Sequence, residues 1–283
     1  MTKPNFLSQL TGCFSIPADG NPTVLMVEAA YKAAGVNIRY INTEVTPENL
    51  TAAVAGARAM NWLGFNLSAP HKVTVMAMLD EIGESASLIG AVNCVVNKSG
   101  KLVGENTDGK GFLQSFTEVI DPAGKTILIF GAGGAARAIA VELALVKAKK
   151  IIVVNRNSER GQDLVNNIKS KTGIEAEFLN WDSNFKIPSG VDAIVNATTI
   201  GMDQYEGKVL DIDFDSITSS MVVSDVIINP PNTDLLAQAA KRGATTIDGL
   251  GMLVYQGVIG IKYWTGLDVD KDVMRKALQG IKG

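Results

Sequence analysis

Apolar and polar positions along this chain follow two different rhythms. From residue 126 onward, short apolar runs recur at 126–130, 151–154, 176–179, 193–196, 221–226 and 245–247. Between the first of them, apolar residues fall at helical intervals, through Ala138, Val141, Leu145 and Val146 and then over 158–171. Strands of four to six residues alternating with helices predict βαβ units and a parallel sheet covered on both faces. The first hundred residues alternate differently, with strands expected over 10–14, 38–45, 62–67 and 91–97 and helices over 23–34, 47–59 and 72–82. Thr46-Pro47-Glu48 reads as a helix start, with a capping hydroxyl, a proline in the first turn and an acid near the positive end. Lys98-Ser99-Gly100-Lys101 reads as a turn closing a hairpin, which puts an antiparallel pair into this sheet. The pattern from 251–264 and 270–281 is helical. The expectation is therefore two α/β domains: residues 1–108 plus 250–283 built on a mixed sheet, and 109–249 on a parallel sheet.

The run at 126–130 is closed by Gly131-Ala132-Gly133-Gly134-Ala135-Ala136, a G-x-G-x-x-A pattern between a strand and a helix. A first glycine allows the tight turn, a second lets a pyrophosphate approach the backbone, and a small third residue lets helix and strand pack closely. The helix N-terminus adds amide donors and partial positive charge. This is the signature of a dinucleotide-binding, Rossmann-type domain. An acidic residue about 20 positions on would bind the ribose 2′-hydroxyl of NAD. Here the next strand ends in Asn155-Arg156-Asn157-Ser158-Glu159-Arg160. Arg156 and Arg160, one helical turn apart, suit a 2′-phosphate, so NADP is the expected cofactor.

Composition narrows the class. The 283 residues suffice for about two domains. With 26 Lys plus Arg against 29 Asp plus Glu, the formal charge of −3 leaves no basic field for a nucleic acid. Two cysteines, Cys13 and Cys94, and one histidine, His71, are too few for a Cys/His zinc site, and no metal is expected. The same scarcity fits a reducing compartment, so a cytoplasmic protein is expected. No apolar stretch reads as a signal peptide or a membrane span. Cys13 and Cys94 read as small buried residues, His71 as structural, and Trp62, Trp181 and Trp264 as scattered, with no stacking platform.

Three polar motifs fall in the first domain: Asn66-Leu67-Ser68-Ala69-Pro70-His71-Lys72, Gly90-Ala91-Val92-Asn93 and Asn106-Thr107-Asp108-Gly109. They put one amine and one carboxylate near strand ends, where open α/β sheets bind ligands. With Gly131–Arg137, Asn196–Met202 and Asp248–Gln256, these motifs make the chain similar to the shikimate dehydrogenases, in order, from about Gly12 to the C-terminus. The resemblance implies NADP-dependent interconversion of 3-dehydroshikimate and shikimate, with the substrate held between two domains. It implies Lys72 and Asp108 as the catalytic pair. Asn66, Ser68, Asn93 and Gln256 would hydrogen-bond substrate hydroxyls, and Thr198 and Gly249 would line the cofactor with Gly131, Ala132, Gly133, Gly134, Ala135 and Asn155. Hydride transfer to or from a carbinol carbon needs a proton moved at its oxygen, which a lysine positioned by a carboxylate supplies.

The chain departs from the family pattern where that family usually carries S-x-S-P or S-x-T-P, which binds the substrate carboxylate. Here the stretch is Asp19-Gly20-Asn21-Pro22, in which Asn21 can donate and Asp19 must point away. Ile228 stands where the family often has a tyrosine. The open alternatives are a paralogue acting on quinate or another cyclic hydroxy acid, and a silent NADP-binding sensor. The expected partner is a small-molecule cyclic hydroxy acid, without nucleic acid or membrane, in a monomer or homodimer.

Overall fold

The structure is a computed structural model that describes residues 6–202 and 209–279. Its contacts divide the chain into two compact units, one running through Thr107 and resuming at Gln256, the other from Asp108 to Tyr255.

The first unit opens with β1 (Gln9–Ser15), α1 (Thr23–Ala33), β2 (Ile38–Glu44), α2 (Leu50–Ala59) and β3 (Gly64–Leu67). It continues with β4 (Glu81–Ile82), α3 (Glu84–Ile89), β5 (Cys94–Lys98) and β6 (Lys101–Glu105). The six strands form a mixed sheet in the order β2-β1-β3-β5-β6-β4, parallel except for the pairs β3–β5 and β5–β6. Successive strand residues face opposite sides of a sheet. Phe14, Phe65, Leu67, Val95 and Leu102 accordingly pack with Leu50 and Val54 of α2 in one apolar core. The other parity, Thr11, Cys13, Tyr40 and Asn66, is polar and aromatic; Thr11 Oγ1 lies 3.1 Å from the Tyr31 hydroxyl of α1.

The helix expected over 72–82 does not form. The chain turns after His71, makes a 3₁₀ turn over Thr74–Met78 and enters β4. Val73, Thr74 and Val75 crowd a helical backbone in succession. The strand ladder wins the following residues: Asp80 N donates to the Leu102 carbonyl, and Leu102 N to Asp80 Oδ2 at 2.7 Å. Residues 91–93 precede the strand expected there, which begins at Cys94.

The second unit takes in most of α4 (Thr107–Thr117), then β7 (Thr126–Phe130), α5 (Gly134–Leu145), β8 (Lys150–Asn155), α6 (Ser158–Thr172) and β9 (Glu175–Asn180). It ends with β10 (Phe185–Lys186), β11 (Ala193–Asn196), β12 (Ile212–Asp213), β13 (Val222–Asp225), α7 (Asp234–Lys241) and β14 (Thr245–Ile247). Six strands make an all-parallel sheet in the order β14-β13-β11-β7-β8-β9. Its alternation is complete: Ile127, Ile129, Ile151, Val153 and Val195 face a core with α4, α5 and α6, while Leu128, Phe130, Ile152, Val154 and Ile194 face a second core with α7. Burial on both faces is why these strands read as unbroken apolar runs. Two helices close the chain: α8 (Gly249–Thr265), within which the two units divide, and α9 (Lys271–Gln279) in the first unit. Trp264 of α8 donates its indole N–H to the Val95 carbonyl at 3.0 Å. No helix among the described residues is long and apolar enough to cross a membrane.

Candidate active site

In the first sheet, β1 pairs β2 on one side and β3 on the other, all three parallel, so the order in which strands are added switches side at β1. Ligands bind open α/β sheets at the carboxyl ends of strands around such a switch. The strand register aligns Asn42, Cys13, Asn66 and Cys94 across four neighbouring strands just inside that edge. Asn66 is held by both ends of its amide: Oδ1 accepts from the buried Tyr40 hydroxyl at 2.9 Å, and Nδ2 donates to the Asn93 carbonyl at 3.0 Å. Burial pushes the Tyr40 phenol well above its usual range, so it stays a donor. Burial likewise pushes the Cys13 thiol up to about 11, against polar neighbours that include the Lys72 ammonium and Asn21. A thiol so placed is neutral and inert as a nucleophile. Two strand spacings, about 10 Å, separate it from Cys94, beyond disulfide reach, and both cysteines are free and buried, as read from the sequence.

Lys72 is half-buried, and its carbonyl accepts from Val92 N at 2.8 Å, tying the Lys72 loop to the Gly90–Asn93 motif. His71 is buried, with Nε2 2.7 Å from the Val45 carbonyl, so this nitrogen donates and the ring anchors the loop from below. Ser68 lies at the exit of β3, half-buried, with its amide on the Phe14 carbonyl. Asn93 clamps the start of α4: its Oδ1 accepts from Thr107 N at 2.6 Å, and its Nδ2 donates to Thr107 Oγ1 at 3.0 Å. Asn93 thereby orients the residue next to Asp108, which lies half-buried in the first turn of α4. Gln256 is buried on α8.

The stretch that departs from the family pattern is built differently. Asn21 Oδ1 accepts from Thr23 N at 3.0 Å at the start of α1, its Nδ2 donates to Cys13 Sγ at 3.3 Å, and its carbonyl accepts from Asn42 Nδ2 at 2.8 Å. Asp19 is exposed and accepts from Gly20 N at 2.8 Å. Beside them, Asn42 Oδ1 is buried without a hydrogen-bond partner. Ile228 is exposed, beyond the end of β13.

In the second unit the glycine turn lies where the strand order reverses, between β7 and β11. Gly131 takes φ +106°, and a Cβ there would lie 3.0 Å from the Ala197 carbonyl, so only glycine suits. Ala132 and Ala135 are half-buried. Around Gly133 and Gly134 the space that a Cβ would enter is open, and no side chain caps α5. The first amides of α5 thus stand ready for an anion at its positive end, which fits a pyrophosphate. On the next strand, Asn155 Nδ2 donates to the Asn157 carbonyl at 2.9 Å, and Asn157 caps α6 by accepting from Arg160 N at 2.9 Å. Arg156 and Arg160 are exposed, and the Arg156 guanidinium lies over the Trp181 ring, 5.8 Å from its centroid. Trp181 therefore does form a platform, for an arginine, where the sequence showed only a scattered tryptophan. Two cations and a free helix start are the donor set that a 2′-phosphorylated dinucleotide requires.

Across from the glycine turn, Thr198 donates its N–H and hydroxyl to Asn196 Oδ1 at 3.1 and 2.7 Å, and Asn196 Nδ2 donates to Asp225 Oδ1 at 3.1 Å. Asp225 also accepts from the Thr233 hydroxyl at 2.8 Å and Ile227 N at 3.1 Å; burial still holds its carboxyl above the usual range. The space beside Gly249 is filled by the backbone of Val226 and Ile227, so this helix start too requires glycine.

Three segments of the chain match family descriptions: a shikimate dehydrogenase substrate-binding domain over 19–95, a shikimate/quinate 5-dehydrogenase over 114–203 and a shikimate 5′-dehydrogenase C-terminal domain over 249–279. A shikimate dehydrogenase (NADP(+)) from Desulforamulus reducens is 41% identical over 278 residues, covering 97% of this chain and 96% of that protein. The chain belongs to the shikimate dehydrogenase family. Among solved structures, a shikimate dehydrogenase in complex with NADP+ superposes with TM-score 0.90 at 40% identity, over 96% of this chain and 95% of that one. A ligand-free 5-ketofructose reductase from Gluconobacter sp. strain CHM43 superposes with TM-score 0.96 at 51% identity, over 98% and 100%. Over 96–98% of its length the chain is thus similar to enzymes named for two different compounds, the hydroxy acid shikimate and the ketone 5-ketofructose. Tyr40 and Trp181, which hold Asn66 and Arg156, stand in no motif and reach these partners through the sheets; Thr107 stands in a motif, but its hold on Asn93 shows only in the fold.

Proposed function

We propose that the chain is an NADP-dependent oxidoreductase that interconverts 3-dehydroshikimate and shikimate, with Lys72 moving the proton at the reacting oxygen and Asp108 positioning its ammonium. NADPH, when bound, supplies the hydride to the carbonyl carbon, and NADP+ takes it back. Gly131, Ala132, Gly133, Gly134 and Ala135 would hold the pyrophosphate, Asn155, Arg156 and Arg160 the phosphorylated ribose, and Thr198 and Gly249 the nicotinamide side. Asn66, Ser68, Asn93 and Gln256 would orient ring hydroxyls, each amide giving and accepting hydrogen bonds. The observation that carries this reading is the polar end of the first sheet, where Tyr40, Asn66 and Asn93 tie three strands to the Lys72 loop and to the residue before Asp108.

A second reading is favoured by the stretch around Asn21. No hydroxyl or cationic side chain lies among Asp19, Gly20 and Asn21. Asn42 Oδ1 lacks a donor, which a hydroxyl can give and a carboxylate cannot. Both features suit a neutral polyhydroxy ketone, the substrate type in the name of the Gluconobacter relative. Initial rates decide: NADP+ reduction with shikimate and with quinate, beside NADPH oxidation with 5-ketofructose. Shikimate turnover matching the best substrate supports the first reading, and turnover of the neutral ketone alone supports the second. No turnover with any of them overturns both.

A further inference from the structure

We infer that Trp181 is a positioning residue that sets the preference for the 2′-phosphorylated cofactor by holding the Arg156 guanidinium; this rests on the NADP reading of the second unit. Strands β8 and β9 are paired so that Asn155 lies opposite Asn180, which makes Arg156 and Trp181 neighbours one residue beyond the sheet. Trp181 is held at three points. Its N–H donates to the Asn155 carbonyl at 3.2 Å, its indole N–H donates to the Asp211 carbonyl at 3.1 Å, and its ring packs 4.8 Å from that of Phe130. Phe130 is the last residue before Gly131, so one indole links the base of the glycine turn to the arginine. With the ring buried and tied, its remaining face carries the exposed guanidinium at 5.8 Å. An exposed arginine left to itself samples many rotamers, and ordering it costs free energy at binding. A flat, electron-rich surface beneath it holds the fork near one orientation beforehand, with its N–H edge left for phosphate oxygens. The benefit falls only on a ligand with a charge at the 2′ position, which makes Trp181 a determinant of specificity rather than of cofactor binding in general.

The test measures Kd for NADP+ and NAD+ by calorimetry in the intact protein. Trp181→Leu is expected to weaken NADP+ by about two- to five-fold, the range of one exposed cation–π contact, with NAD+ unchanged. In an Arg156→Ala background, the same change is expected to leave the NADP+ to NAD+ ratio where Arg156→Ala put it. Fluorinated tryptophans offer a second route that preserves size: NADP+ affinity should fall stepwise as fluorine drains the ring face, while NAD+ affinity stays level. Equal weakening of both cofactors, additive effects in the Arg156→Ala background, or a flat response to fluorination would overturn the inference. If Arg156→Ala itself leaves the ratio unchanged, the failure belongs to the 2′-phosphate reading and not to Trp181.

Discussion

Replacing Asn93 by alanine separates a clamp from a substrate ligand. Asn93 is 3% exposed and Thr107 0%, so water cannot replace what is lost. The change removes the acceptor for Thr107 N and the donor to Thr107 Oγ1. A buried polar group left without a partner costs about 1–3 kcal/mol, so two such losses predict a destabilisation of about 2–6 kcal/mol. Thr107→Val removes only the hydroxyl bond and should cost about 1–2 kcal/mol. The double variant should fall short of the sum by about 1–2 kcal/mol, because both changes delete the same bond. Urea unfolding followed by tryptophan emission measures this, since Trp62 and Trp264 both belong to the first unit. A side chain whose work was only to bind substrate would raise KM and leave the midpoint in place. Asn93→Ala within about 0.5 kcal/mol of the parent, the range of a neutral surface change, would refute the clamp.

Other consequences follow from the same geometry. Asp19→Ser combined with Asn21→Ser, which supplies the missing hydroxyls, should lower KM for shikimate in steady-state assays; no response would mean that this stretch does not face the acid group. Gly131→Ala forces a side chain into φ +106° against the Ala197 carbonyl, and should cost at least about 1–2 kcal/mol in unfolding experiments while weakening NADP+. Because burial raises the Asp225 pKa, the folded protein keeps a proton that the unfolded chain has released between the ordinary aspartate value and the raised one. Stability from this group is full below that window and falls as pH rises through it. The unfolding free energy of Asp225→Asn should therefore gain on the parent with rising pH, and a gain for the parent would show that its three hydrogen bonds outweigh burial.

The parts of the fold legible in the sequence are those whose burial is uniform. Strands β7, β8 and β11 are covered on both faces, so they stand out as apolar runs, and the glycine turn between β7 and α5 follows from them. Helix α4 escaped notice because Gly109 and Gly111 look like turn residues; Gly109 is there because α4 packs against the Ala138 carbonyl of α5, closer than a Cβ allows. The segment 72–82 has apolar residues at helical spacing, yet the ladder to Leu102 outweighs that preference. Helix α7 lies between two apolar runs that read as strands, but it is only eight residues long and buries just Leu235, Leu236 and Ala239, too little to announce it. In the candidate site the charged and amide residues were visible by type. Their supports Tyr40 and Trp181 were not, because they carry no motif and act through residues remote in sequence.

Lys72→Ala, assayed with the best substrate at saturating NADPH, tests the proposed chemistry most directly. If Lys72 moves the proton, kcat falls by about 10²-fold or more, while the Kd for NADPH stays within about twofold of the parent, since the cofactor is assigned to other residues. Turnover that survives the change at a comparable rate would contradict the account, whatever the protein binds.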